Sequence, residues 1–462
     1  MNKQMNRTLF DIKPRSVFGK VSAISGLNMT VVGLVGFADV GGRCKVHTKR
    51  AIIEAEVIAV DSNSVLLLPF GTWAGASIGD SVELVEFSDL VTPDESWLGR
   101  VVDALGRPLN KPDTTPRPKR PDSISLTPPN AMRRRRVGAK LETKVAGIDI
   151  FTPLCRGQRI GVFAGSGVGK STLMAMLARN VEADVVVIGL VGERGREVQD
   201  FIEEDLGPEG LAKSVVVVAT GDEAPLLRKQ AALTAPRIAE TFRAEGKHVL
   251  LLVDSVTRFA MAQRDIGMTR GEPLASRGYP ASVFSELPQL LERAGPGHAD
   301  EGDITAVYTI LVDGDDMNEP VSDAVRGILD GHIILDRKIA ENGRYPAIDL
   351  LGSVSRMLPG CHSPEEYEIT RAARRTLGRY ADMEDLIRVG AYRSGTDAEV
   401  DASIRFQTGA VSLLTQTKED QIGADTAFAQ MYQVMLEAGV EDPLAQFFEQ
   451  AQAAQPDQPQ PD

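Results

Sequence analysis

The sequence predicts an α/β core built on a parallel sheet, preceded by a small β-barrel and followed by a helical domain. Three observations lead to this prediction. Short β-branched runs broken by Gly, Asp and Asn fill the first part of the chain, apolar strands alternate with helical patterns in the middle, and apolar residues recur at helical spacing near the end. Strands that alternate with helices are typical of a parallel sheet with crossover helices.

The composition is that of a globular protein with several domains. The chain has 462 residues, of which 43% are hydrophobic and 25% charged, so about three domains are expected and wholesale disorder is excluded. A net charge of -13 argues against a protein that coats nucleic acid, which needs a surplus of Lys and Arg. Because no apolar run is long enough to span a membrane and no secretory signal opens the chain, we expect a cytoplasmic protein.

Two local features have alternative interpretations. Cys44, Cys155 and Cys361 are far apart in the sequence and have no metal-ligand spacing, so we expect buried, reduced thiols. The four consecutive arginines at 133–136 could bind acidic lipid, nucleic acid or an acidic partner. A solvated basic segment between domains is the favoured interpretation of this run.

The first domain is predicted at 1–95. Residues 21–86 alternate in the manner of short strands, which indicates a small all-β domain, most simply a barrel. Residues 111–129 are rich in proline and poor in apolar residues, which predicts an ordered linker across the surface of the next domain.

The second domain is predicted at 96–360. Continuous apolar runs indicate strands that are buried on both faces, at 159–163, 184–191, 214–219, 249–253 and 304–312.

The third domain is predicted at 361–450 and is helical. Ser363 is a good N-cap, Pro364 suits the first helical position, and Glu366 completes a capping box. One face of this helix is expected to be buried, with Ile369, Ala372, Ala373, Thr376, Leu377 and Tyr380. The last residues, 451–462, are rich in Gln, Pro, Ala and Asp and are predicted to be a disordered tail.

The strongest motif is a glycine-rich loop at 164–171, AGSGVGKS, between a predicted strand and a predicted helix. Its glycines let backbone N–H groups surround phosphates, and the N-terminus of the following helix favours the anion. Lys170 is then expected to reach the β and γ phosphates of ATP, and the Ser171 hydroxyl to ligate Mg²⁺. A glycine-rich turn with an exposed lysine is the alternative. The predicted nucleotide-binding residues are Gly165, Ser166, Gly167, Val168, Gly169, Lys170, Ser171 and Thr172.

Two further motifs follow predicted strands. Asp254 ends an apolar strand, where it can hold Mg²⁺ through water, although strand ends also carry Asp as a helix cap. Glu193 and Arg194 follow the strand at 184–191, and right-handed crossover geometry can bring this strand end to the same edge of the sheet as Lys170. Glu193 could polarise the attacking water and Arg194 could meet the γ phosphate. The alternative is a surface turn with alternating charges.

A fourth motif, SVSR, occupies 353–356. Arginine fingers stabilise the charge that develops on the transferred phosphoryl group. On the residues alone, a structural salt bridge is an equal alternative for Arg356.

Taken together, these motifs resemble the catalytic subunits of the rotary ATP synthase superfamily, and within it the flagellar and type III secretion ATPases. The stretches that carry the resemblance are FAGSGVGKST at 163–172, GERGREV at 192–198, AID at 347–349 with SVSR at 353–356, and DLIRVGAY at 385–392. The resemblance covers 21–392 and implies a RecA-like P-loop NTPase core. Synthase β subunits have an acidic helix-turn-helix in the last region, and its absence here favours export over ATP synthesis.

The resemblance also implies roles for individual residues. By this similarity Glu193 is the catalytic base, Arg194 and Arg258 contact the γ phosphate, and Arg356 is a finger supplied to a neighbouring subunit. Tyr345 matches a position that stacks on adenine. One chain carries both the base and the finger motif, so a homohexamer is expected.

The implied partners are those of an export ATPase at the inner face of the cell membrane. They are a dimeric stalk-like regulator, a central coiled-coil stalk protein, the membrane export gate, and export chaperones with their cargo. The chain departs from the family pattern at 143–149 and at 413–416, where the aromatic of a second adenine-contacting segment is replaced by leucine. The alternatives are a virulence-type injectisome ATPase, an RNA-translocating ring and a noncatalytic ring subunit, the last disfavoured by Glu193.

Overall fold

The computed structural model describes residues 17–85, 93–110, 129–312, 314, 316–445 and 447. The predicted tail and nearly all of the predicted linker at 111–129 lie outside this part of the chain. Among the described helices, none is long and apolar enough to cross a membrane.

The first part of the chain forms the predicted barrel. Six antiparallel strands close in the order β1-β2-β5-β4-β3-β6, with β1 paired to β6. Alternate side chains such as Met29, Val31 and Val46 fill the interior and are fully buried, as expected for strands with one face inward. The strands are β1 Val17–Ser25, β2 Asn28–Val32, β3 Arg43–His47, β4 Ile52–Val60, β5 Val65–Pro69 and β6 Ser81–Val85.

The central part is a nine-stranded sheet with helices on both faces. The order is β17-β16-β10-β15-β13-β11-β12-β7, and β14 pairs with β15 at its end. All neighbours along this order are parallel except β16 and β17. The strands are β7 Arg100–Asp103, β10 Arg159–Ala164, β11 Val185–Glu193, β12 Ser214–Thr220, β13 His248–Asp254, β14 Gly295–Pro296, β15 Asp303–Leu311, β16 Gly331–Leu335 and β17 Ile348–Ser355, with a separate two-stranded pair, β8 Lys140–Leu141 and β9 Leu154–Cys155.

Two apolar layers cover this sheet. The helices that follow β12, β13 and β15, and the helix that precedes β14, pack on one face. The helix after β10 shares the other face with the C-terminal helices. The strands are apolar on both sides because both sides are buried, which stabilises the fold by about 1.5–3 kcal/mol for each large side chain. The helices are α1 Ala146–Phe151, α2 Lys170–Asn180, α3 Gly195–Asp200, α4 Gly207–Ala212, α5 Pro225–Ala244, α6 Val256–Thr269, α7 Ala281–Leu291, α8 Pro320–Ile328 and α9 Arg337–Glu341.

The C-terminal part consists of α10 Pro364–Arg388, α11 Ala398–Leu414 and α12 Ala424–Glu437. Helix α10 begins at the predicted capping box, in which the Ser363 side chain accepts from the Glu366 N–H and the Glu366 side chain accepts from the Ser363 N–H. The predicted apolar face is buried except for Tyr380, which is half-buried. Phe406 and Phe428 join the core of the central sheet, so the C-terminal helices pack directly onto that sheet.

The interpretation of the arginine run as a solvated segment holds for Arg133, Arg135 and Arg136, which are exposed, and is wrong for Arg134. Arg134 is largely buried and donates to the carbonyls of Glu292 and Ala294. Arg135 forms an ion pair of 2.6 Å with Asp303. These two side chains hold the run against the central sheet. They supply hydrogen-bond donors to buried carbonyl and carboxylate groups, which need such partners.

The cysteine prediction also needs a correction. Cys44 and Cys155 are buried, but Cys361 is half-buried. Cys155 and Cys361 lie within hydrogen-bonding reach of each other, and this contact, together with burial, raises the pKa of Cys155. Burial raises the pKa of Cys44 to about 12. All three are free thiols.

Candidate active site

The glycine-rich loop connects β10 to α2, as the sequence predicts. Gly167 and Gly169 have positive φ angles of 79° and 89°, a conformation that glycine adopts without strain. Gly169 is the N-cap of α2 and provides no side-chain cap, so the first N–H groups of the helix are left to bind an anion. Ser166 and Gly167 are exposed, whereas the Val168 side chain is buried in the core. Val168 can therefore contact phosphate only through its backbone.

Lys170 lies between two carboxylates. Its Nζ donates to Glu193 Oε1 at 3.1 Å and forms a short ion pair with Asp254 Oδ1. Glu193 ends β11 and Asp254 ends β13, and the two strands are parallel neighbours. The structure thus brings three predicted residues together at the carboxyl edge of the sheet, where open α/β folds bind their ligands.

The electrostatics of this cluster suit a proton acceptor. The pKa of Glu193 is raised to about 7, chiefly by burial and next by the charge of Asp254, while the charge of Lys170 opposes both effects. Burial lowers the pKa of Lys170, but the charges of Asp254 and Glu193 outweigh this effect and raise it overall. A carboxylate with a pKa near neutrality can take a proton from water at physiological pH.

A threonine that sequence reasoning missed supports the cluster. Thr309, on β15, donates its hydroxyl to Asp254 Oδ1 at 2.7 Å. This bond orients the carboxylate from the strand next to β13. Polar residues within the mostly apolar strand at 303–311 were the available signal, but alternation alone does not tell which neighbour each of them contacts.

Arg258 lies beside the backbone next to Glu193, whereas Arg194 points into solvent. Arg258, on α6, packs against Gly192, where an added Cβ would lie 2.8 Å from the Arg258 Cβ and Cγ atoms. Glycine at 192, with φ 74°, therefore allows this arginine to approach the backbone next to Glu193. The Nε of Arg258 is buried and has no hydrogen-bond partner within the described part of the chain. Arg194 points outward, with 85% of its side chain exposed, and pairs with Glu197. The structure does not bring it to the Lys170 cluster.

Tyr345 borders the same loop. A Cβ built on Gly169 would lie 3.2 Å from the Tyr345 Cδ1 atom, so the ring packs against the loop. The residue is nevertheless 42% exposed, which leaves ring surface free for a planar group. The residues at hand suit a magnesium nucleotide, since the Ser171 hydroxyl and the Asp254 carboxylate are oxygen ligands of the kind that Mg²⁺ prefers.

Arg356 lies at the opposite edge of the sheet. Its N–H donates to the Asp330 carbonyl at 2.9 Å, and the Asp330 carboxylate accepts from Arg159 at the start of β10. Strand β10 then runs to Ala164 before the loop begins, a span of about 16 Å at the usual rise per residue. An arginine side chain is shorter than this strand, so Arg356 cannot reach the Lys170 of its own chain.

The serines of the SVSR motif have structural contacts. Ser353 is fully buried and its hydroxyl donates to the Asp349 carbonyl and accepts from Ile334 N–H at 3.0 Å. Ser355 donates to the Pro153 carbonyl at 2.8 Å. Arg356 itself is exposed. The two serines hold the end of β17 in place and leave the arginine at the surface, where another chain can approach it.

Comparison with known proteins gives matches along most of the chain. Residues 144–355 match the ATP synthase alpha/beta family, nucleotide-binding domain, and residues 362–433 match the C-terminal domain of the type III secretion ATPase EscN. The flagellum-specific ATP synthase of Caulobacter vibrioides is 47% identical over 430 residues, which cover 92% of this chain and 97% of the relative.

Solved structures agree with these matches. The assembled ATPase EscN of the enteropathogenic E. coli type III secretion system is 39% identical, with a TM-score of 0.83, and covers 90% of this chain and 100% of its own. EscN in complex with its central stalk EscO gives a TM-score of 0.81 at the same identity and coverage. The predicted α/β class, the barrel and the helical C-terminal part are confirmed by this similarity.

Proposed function

The chain belongs to the ATP synthase alpha/beta family, with the C-terminal domain of the type III secretion ATPases, and we propose that it is the ATPase that energises flagellar protein export. It is an ATP-hydrolysing enzyme, as the proteins of this family are. The observation that carries the mechanism is the Lys170 cluster with Glu193 and Asp254 at one sheet edge and Arg356 at the other.

Several residues of one chain have separate roles in ATP binding and hydrolysis. Glu193 accepts the proton of the attacking water, and its raised pKa keeps that proton transfer accessible near pH 7. Lys170 exchanges its carboxylate partners for the β and γ phosphates. Arg258 adds positive charge beside the γ phosphate, and Arg194 does so once its side chain turns inward from Glu197. Tyr345 stacks on the adenine.

Ser171 directly, and Asp254 through water, would hold Mg²⁺, which would neutralise charge on the phosphates. Thr309 keeps the Asp254 carboxylate oriented for this role. The backbone N–H groups of residues 165–169 and the side chain of Thr172 complete the nucleotide-binding set.

The transition state requires a second chain. Because Arg356 lies about one strand length from the Lys170 of its own chain, it serves the site of a neighbour. Each chain supplies a complete set of phosphate-binding residues and one finger, which suits a homohexameric ring. EscN, which resembles this chain over 90% of its length, has been solved as an assembled ATPase.

One proposed partner is supported by a solved relative, and the others rest on the sequence resemblance. A central coiled-coil stalk protein corresponds to the EscO stalk seen with EscN. A dimeric stalk-like regulator, the membrane export gate and export chaperones with cargo complete the set, with the ring in the cytoplasm against the inner face of the membrane. The flagellar relative, at 47% identity, favours motility over an injectisome, and a motility defect on deletion separates the two. RNA is not proposed as a partner, given the net charge of -13.

The experiment that tests this function is ATPase rate against protein concentration, with particle size measured alongside, for the wild type and Glu193→Gln. We expect the rate per subunit to rise cooperatively as rings form, and the variant to assemble without turnover. A rate per subunit that does not depend on concentration, or an active variant, would show that the shared site is wrong. Glu209→Gln, an exposed glutamate on α4, is the matched control and should behave as the wild type.

A further inference from the structure

A buried glutamine from the C-terminal helices lies behind Tyr345. Gln416 follows α11 by two residues and is only 3% exposed. Its backbone N–H donates to the Tyr345 carbonyl at 2.7 Å. The main chain of Tyr345, the residue proposed to stack on adenine, is thus hydrogen-bonded to a segment of the C-terminal part about seventy positions away in the sequence.

The side chain of Gln416 is fixed at both ends. Its Oε1 accepts from the Ala146 N–H at 2.8 Å, and its Nε2 donates to the Lys144 carbonyl at 3.0 Å. Ala146 is the first residue of α1, whose N-cap Val145 makes no side-chain cap bond. The amide oxygen therefore satisfies one of the N–H groups that a helix start leaves open.

The segment that accepts from the Gln416 side chain has a strained backbone at Lys144. Lys144 has a φ of 58°, in the left-handed region that costs a residue with a side chain roughly 1–2 kcal/mol. Its carbonyl accepts from both Gln416 Nε2 and the Ile422 N–H. Strain of this kind persists only where surrounding contacts determine the backbone, and Gln416 supplies one of those contacts.

Three segments therefore meet at one residue, Gln416: its side chain holds residues 144–146, its backbone N–H holds Tyr345, and it belongs to the stretch after α11. We propose that Gln416 is a positioning residue that fixes Tyr345 against the phosphate-binding loop and so ties the base-binding side of the nucleotide site to the C-terminal helices. This inference rests on the proposed ATPase function, in which Tyr345 contacts adenine. Gln416 itself does not need to touch the nucleotide, because it acts through the Tyr345 backbone.

The test is a double-mutant cycle between Gln416→Ala and Tyr345→Ala, read as kcat, KM for ATP and equilibrium affinity for a fluorescent ADP. Gln416→Ala removes the two side-chain bonds to Ala146 N–H and the Lys144 carbonyl and keeps the backbone bond to Tyr345, so the segment that carries this backbone bond is held less firmly. We expect KM to rise about fivefold, a change of the size that loss of buried hydrogen bonds produces, while kcat changes less than about twofold. In the Tyr345→Ala background the same substitution should have no further effect on KM, since the two residues act as one unit. Equal effects in both backgrounds, or an unchanged KM, would overturn the proposal.

Two further variants keep the test decisive. Gln416→Glu retains the shape and the acceptor for Ala146 N–H but loses the donor to the Lys144 carbonyl. If the alanine variant does not fold, Gln416→Glu replaces it in the double-mutant cycle, and the same changes in KM are expected. Gln421→Ala is the matched control, because Gln421 contacts only the exposed Lys144 side chain among the bonds described here, and its KM should equal that of the wild type. Hydrolysis by the wild type, abolished in Lys170→Ala, tests the underlying function separately.

Discussion

Replacing Glu193 by glutamine is expected to stop hydrolysis and to raise the stability of the folded protein relative to the wild type as the pH increases. Burial is the main reason that the pKa of Glu193 is raised from an ordinary 4.5 to about 7, with the nearby charge of Asp254 as the second cause. A carboxyl whose pKa is raised by folding stabilises the folded state only while it is protonated. This stabilisation is complete below pH 4.5 and is lost as the pH rises through about 7.

The magnitude follows from the difference between the two pKa values. The folded and unfolded pKa values differ by about 2.5, and each pKa unit corresponds to about 1.4 kcal/mol, so about 3 kcal/mol of stability is lost well above pH 7. About 2 kcal/mol of this is already lost at about pH 6. Glutamine has the same shape and does not titrate, so the advantage of the variant over the wild type should grow by about 1 kcal/mol between about pH 6 and about pH 8.5.

The assay is calorimetric unfolding of both proteins at these two pH values, without nucleotide or Mg²⁺. For a domain of this size, about 1 kcal/mol corresponds to about 2–4 °C in Tm, so the gap between variant and wild type should widen by that amount. Loss of the Lys170 contact to Glu193 lowers stability at both pH values and cancels in the comparison. If the Tm of the variant minus that of the wild type stays constant, or falls as the pH rises, the assignment of a raised pKa to Glu193 is refuted. Glu209→Gln is the control and should show no widening.

Three further outcomes are expected. The ATPase rate at limiting ATP should rise with pH and level off above about 7, because Glu193 accepts a proton only when it is ionised; a rate that is flat from about pH 6 upward would contradict its role as base. Arg356→Ala and Lys170→Ala should each be inactive alone, while an equal mixture completes about one quarter of the interfaces and regains activity; mixed rings without activity would exclude a finger supplied by a neighbour. Arg293→Ala should lower the unfolding free energy by about 3–5 kcal/mol, because the 2.7 Å pair with Glu240 is buried on both sides, and Arg388→Ala, whose pair with Asp385 is exposed, should lower it by at most about 1 kcal/mol.

The sequence predicted those parts of the site that depend on sheet topology. Apolar runs buried on both faces indicate parallel strands, and parallel strands place their carboxyl ends at one edge. The convergence of Lys170, Glu193 and Asp254 follows from this rule. The capping box at Ser363 was predictable for a similar reason, since its geometry involves residues three positions apart.

Contacts between distant segments were not predictable from one sequence. The bond from Thr309 to Asp254 and the three bonds of Gln416 depend on which side chains face each other across packed elements. The solvated interpretation of the arginine run failed at Arg134 for the same reason, because charge and spacing do not show that Glu292 lies beside it. The outward direction of Arg194 is a matter of rotamer, which the motif leaves open.

With Arg356 serving the site of a neighbour, as proposed, the separation of Lys170 and Arg356 on opposite edges of the sheet gives the assembly a polarity. Contacts between subunits then run head to tail, so a linear row ends with one phosphate-binding loop that has no finger and one finger that has no loop to serve. A dimer completes only one of its two sites. Closing the row into a ring removes both loose ends in a single step, and the last interface to form then completes a site without adding a subunit.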